Sequence, residues 1–71
     1  MSETTTELAR LAAPWGRELV LFQVIHEGGL AMLRLRIREG KRFTTLDLDA
    51  ATAGDLAARL AAWAAAPPSD A

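Results

Sequence analysis

The stretch Leu30–Asp49, LAMLRLRIREGKRFTTLDLD, decides the fold. Its two alternating runs meet at Gly40, and side chains on a strand point to opposite faces in turn. With Gly40 and Lys41 as the turn, Glu39 faces Arg42, Ile37 faces Thr44, Leu35 faces Leu46 and Leu33 faces Leu48. That row is apolar and belongs in a core. The other row sets Arg34 against Asp47, Arg36 against Thr45 and Arg38 against Phe43, so opposite charges meet across the ladder. A slip of one residue would turn the leucines to water. Both faces therefore select the same hairpin.

Working outward toward the N-terminus, Glu18–His26, ELVLFQVIH, is rich in strand-forming residues and ends at Gly28-Gly29, a dipeptide suited to a two-residue hairpin turn. Such a turn predicts that Val24 faces Leu33, Phe22 faces Leu35 and Val20 faces Ile37, with His26 opposite Ala31. Leu19, Leu21 and Ile25 then lie outward, beside Arg38, Arg36 and Met32. This strand becomes an unpaired edge, long and free of proline, and so open to pairing with another chain. Residues 1–16 read as an N-terminal arm with a short helix, capped by Thr5 or Thr6, carrying Leu8, Leu11 and Ala12, and closed by Ala13-Pro14. Trp15 anchors that arm to the body as an ordinary apolar contact.

Toward the C-terminus the spacing changes to that of a helix, with Leu56, Leu60 and Trp63 on one stripe flanked by alanines. Asp49 is suited to cap its N-terminus, and Pro67-Pro68 end it. The expected fold is α+β: a three-stranded antiparallel meander, β-β-β, followed by one C-terminal helix packed on one sheet face. The expected organisation is an arm over 1–16, a single β-β-β-α domain over 17–66 and a disordered tail over 67–71.

Composition limits the function. A chain of 71 residues with 51% hydrophobic content is one small domain, near the size where a single core barely suffices. It has no cysteine, so neither disulfides nor a thiolate zinc site can staple it. Oligomerisation is the staple that remains. The N-terminus lacks the pattern of a signal peptide and no apolar run is long enough to span a bilayer, so the expected compartment is the cytoplasm, with no membrane partner. Net charge is −1, yet Arg34, Arg36, Arg38, Lys41 and Arg42 form a local basic stripe.

No catalytic constellation, cofactor motif or metal site is legible. His26 stands alone, and metals need several convergent ligands. Asp47 and Asp49 already have work as an ion-pair partner and a helix cap. The protein is therefore read as no enzyme, with no cofactor. The feature with functional content is the outer row of Arg34, Arg36 and Arg38, beside Leu21 and Phe43. Three readings compete: a solvated face whose arginine stems cover apolar neighbours, a homodimer interface, and a platform for single-stranded nucleic acid with Phe43 stacking on bases. The leading expectation is a non-enzymatic interaction module that self-associates as a homodimer; the alternative is nucleic-acid binding.

Pro14-Trp15-Gly16, the Gly-Gly turn, the run LRLRIREGKRFTTLDLDAATA and the helix closing on Ala-Trp-Ala resemble a small domain of unknown function found in alphaproteobacterial genomes, over residues 14–64. That resemblance implies no activity. The order of sheet then helix is also similar to that of coactivators that bind single-stranded DNA and dimerise, whose domains have four strands and more basic and aromatic residues. This second likeness is topological, and fold does not establish function.

Overall fold

A computed structural model describes residues 3–68. Strands β1 (Thr4–Ala13), β2 (Arg17–Ile25), β3 (Ala31–Glu39) and β4 (Arg42–Leu48) form one antiparallel sheet in sequence order, followed by helix α1 (Ala50–Ala65). The β3–β4 hairpin adopts the register that its two faces predict, from Glu39 opposite Arg42 to Leu33 opposite Leu48. Gly40 takes the positive φ, +65°, that the turn requires. The class is α+β as expected, but the sheet has four strands, not three.

The fourth strand corrects the N-terminal reading. The segment expected to be an arm with a short helix is β1, paired with β2 along its length. Hydrogen bonds to β2 outweigh a marginal two-turn helix, which has little stability by itself. A bulge between Glu7 and Ala9 shifts the phase of the strand. It lets Leu8 and Leu11, three apart, lie on one side of the sheet, which is how a strand came to carry helical spacing. β1 also covers β2, so ELVLFQVIH is an interior strand; the sheet's edges are β1 and β4.

The β2–β3 register corrects a second expectation. Gly28 and Gly29 both have positive φ, at +95° and +92°, but the turn spans Glu27, Gly28 and Gly29. His26 N donates to Leu30 O at 2.8 Å and Gly29 N donates to His26 O at 2.9 Å. The extra residue moves every pair by one, so Val24 faces Met32, Phe22 faces Arg34, Val20 faces Arg36 and Leu21 faces Leu35. Ile25, and not His26, lies opposite Ala31. Side-chain period two converts this single step into an exchange of faces for the whole of β2.

The resulting sheet has a leucine face, with Leu11, Leu19, Leu21, Leu33, Leu35, Leu46 and Leu48, and an arginine face on the other side. Helix α1 lies on the leucine face, chiefly over β3 and β4. Asp49 caps it: its Oδ1 accepts from Thr52 N at 2.8 Å, which holds the Asp49 carboxyl below its ordinary pKa. The helix ends at Ala65, before Pro67 and Pro68, which have no regular structure; residues 69–71 of the expected tail lie outside the described residues.

Burial is sparse. Among the described residues, the buried apolar ones are Val20, Val24 and Leu48, and none of these lies in the helix. The radius of gyration is 14.5 Å, against about 11 Å for a compact chain of this length. The molecule is a thin plate of 52 × 30 × 15 Å.

Candidate interaction surface

The arginine face is an ion-paired lattice. Arg34 grips Asp47 with two bonds, Nε to Oδ1 at 2.8 Å and Nη2 to Oδ2 at 3.0 Å, and this holds the Asp47 carboxyl below its ordinary pKa. Glu18 bridges two strands, with Oε2 3.1 Å from Arg10 Nη1 and Oε1 3.5 Å from Arg38 Nε. Arg10 also binds Glu7 at 2.8 Å. The Arg10 guanidinium lowers the pKa of both Glu7 and Glu18, and these two carboxylates raise its own. Each partner lies on a neighbouring strand or three residues along, so strand register sets the pairing.

Arg36 differs from its neighbours. Its guanidinium carbon lies 5.1 Å from the Phe22 ring centroid and 5.2 Å from that of Phe43, within cation–π range of both. Its Nε is buried with no hydrogen-bond partner among the described residues. Beneath these long side chains lie Val20, between Arg10 and Arg36 in the ladder, and Val24, between Thr5 and Met32. Both are almost completely buried on an open sheet face, as long arginine side chains lying over apolar neighbours would bring about.

Of the residues predicted for a site, Arg34, Arg36, Arg38 and Phe43 share this face. Leu21 does not. It lies on the leucine face, because the three-residue turn reverses β2, and with it go Leu19 and Ile25, which were also expected on the arginine face. The apolar character expected of the arginine face is instead supplied by Val20, Phe22 and Val24.

The leucine face holds the surface that sequence reasoning missed. Between α1 and the sheet runs a cleft of about 370 Å³, walled by Ala53, Leu56, Ala57 and Leu60 of the helix and by Leu11, Leu19, Leu21, Leu33, Leu35 and Leu48 of the sheet. Its lining side chains are all aliphatic. A smaller recess beside it is bordered by Leu8, Gln23, Leu33 and Ala50 among others. The helix leaves much of its own stripe uncovered: Leu60 is 61% exposed and Trp63 is 63% exposed.

At one end of the plate, Pro14-Trp15-Gly16 form a 3-10 turn between β1 and β2. Trp15 is 87% exposed, so it does not anchor the N-terminal segment as expected, and its backbone φ is +60°. Arg17 lies 5.9 Å from its ring and is bonded to Glu39. Among the described residues no group of three His, Cys, Asp or Glu gathers to hold a metal, and no helix is long and apolar enough to cross a membrane. His26 Nδ1 is 3.4 Å from Glu3 Oε2.

A family model matches residues 2–66, which takes in every strand and the whole helix. The chain belongs to DUF6967, a family of unknown function. Membership therefore joins the two faces to a family without adding a reaction or a ligand. No curated protein and no solved structure matches the chain.

Proposed function

We propose that the protein is a non-enzymatic interaction module that works as a homodimer, with the leucine face as its interface. The observation that carries this reading is the all-aliphatic cleft between α1 and the sheet, open in a single chain whose helix buries none of its residues. Contiguous exposed apolar surface marks association. The exposed parts of Leu8, Leu11, Leu46, Leu56, Leu60 and Trp63 amount to on the order of 600 Å² per copy, near the ~800 Å² per partner of a standard interface. Sedimentation equilibrium at micromolar concentration is expected to give twice the chain mass. A strict monomer at that concentration removes the reading.

The gathering of Arg34, Arg36, Arg38 and Phe43 on one face supports a second reading, binding of single-stranded nucleic acid. Its weakness is electrostatic: Glu7, Glu18 and Asp47 answer Arg10, Arg34 and Arg38, which leaves Arg36, of these four arginines, without a carboxylate partner among the described residues. The reading predicts oligonucleotide affinity that falls steeply with salt and disappears in R34E/R36E/R38E. An absence of binding at low salt ends it. A chain without cysteine suits the reducing cytoplasm in which we place the module.

A further inference from the structure

Strands in a sheet lie about 4.8 Å apart, so four of them make a face about 19 Å wide, whereas a helix with its side chains is about 10–12 Å across. One helix covers two strands. Here α1 lies chiefly over β3 and β4. By width the leucine face therefore has a second helix seat over β1 and β2, where Leu11, Leu19 and Leu21 line one side of the cleft whose other side is α1 itself and Leu8 borders the recess beside it, and the described chain has one helix to offer. The helix shows the matching deficit. Its stripe of Leu56, Leu60 and Trp63 recurs at spacings of four and three residues along one side, and Leu60 and Trp63 remain largely open to water after α1 has met its own sheet.

We infer that the empty seat is filled by α1 of a second copy, so that each helix is shared between its own β3–β4 half and its partner's β1–β2 half. This rests on the homodimer proposed above and specifies how it is built. The exchange is reciprocal about a two-fold axis, so it closes at two chains and does not propagate into fibres. It places Leu60 and Trp63 of one protomer among the β1–β2 leucines of the other. It also leaves both sheet edges and the arginine face unused, which separates it from dimers made by joining β4 to β4 or β1 to β1.

Two measurements on the full chain test it. In Trp15→Phe, Trp63 is the sole tryptophan; its emission is expected to shift to shorter wavelength as concentration rises through the dimer transition measured by sedimentation. Separately, chains carrying only Leu11→Cys are mixed with chains carrying only Leu60→Cys. The parent has no cysteine, so any mixed disulfide must join two copies. A mixed disulfide is expected, while Thr45→Cys, in the middle of the β4 edge, is expected to remain unlinked. A dimer whose Trp63 emission does not change with concentration, or one that links through Thr45→Cys, overturns the shared-helix arrangement and leaves self-association standing. A strict monomer overturns both.

Discussion

Replacing Leu60 by alanine separates a helix that decorates one chain from a helix that two chains share. Leu60 is 61% exposed in the single chain, and full burial of a leucine is worth about 1.5–3 kcal/mol. Its uncovered part therefore holds about 1–2 kcal/mol per copy that only a partner can realise, or about 3 kcal/mol across the two copies of a dimer. At 1.4 kcal/mol per tenfold, Leu60→Ala is expected to weaken dimerisation about a hundredfold. Within one chain the same change removes at most about 1 kcal/mol of cleft contact, independent of concentration, and gains slightly in helix propensity. Sedimentation equilibrium gives the dissociation constant, and thermal melts at two concentrations tenfold apart show whether Tm follows it. A dissociation constant within threefold of the parent's, with the helix intact by circular dichroism, refutes the assignment of Leu60 to an interface.

Other outcomes follow from single features. Glu18→Arg sets three cations together across β1, β2 and β3 and should lower Tm, while the double variant Glu18→Arg/Arg38→Glu should recover much of the loss, which melting curves would show because residues 18 and 38 face each other. Gly54→Ala, at a helical position where an added Cβ meets nothing within 4 Å, should stabilise the fold by about 0.5–1 kcal/mol in denaturant titrations. Acid should unfold the protein through its ion pairs. The carboxyls of Glu7, Glu18, Glu39 and Asp47 are all held below their ordinary values of 4.5 and 3.8, so their contribution is complete above those values and is lost as pH falls below them. Melts from pH 7 to pH 2 should thus be flat near neutrality and fall steeply at the acid end, and a maximum near pH 4 would contradict the pairing.

The β3–β4 hairpin was legible because two independent patterns, leucines on one side and complementary charges on the other, demand one register. β2 was ambiguous for the converse reason: Leu19 and Leu21 on one parity and Val20, Phe22 and Val24 on the other are both apolar, so hydrophobicity assigns no face. Charge does carry the answer. The two-residue turn would set Glu18 against Glu39, like charges across a ladder, whereas the observed register sets Arg17 against Glu39 and Glu18 against Arg38. The arginine row was found because it lies on the hairpin; Leu21 was misplaced with the rest of β2. The leucine cleft was not legible, since the sequence shows an apolar stripe and an apolar sheet face but not that the one leaves half of the other uncovered.

The bulge in β1 has a consequence for how the gene can vary in length. Before it, the leucine face is served by even-numbered residues, Thr4 and Thr6; after it, by odd-numbered ones, Ala9, Leu11 and Ala13. Deleting one residue at the bulge restores strict alternation: loss of Leu8 takes that side chain from the leucine face, whereas loss of Ala9 keeps Leu8 there, between Glu7 and Arg10 of the arginine face. Homologues that align without gaps through Thr4–Ala13, yet vary in length at Glu27–Gly29, would carry the signature of a strand whose reading frame is fixed by a single extra residue.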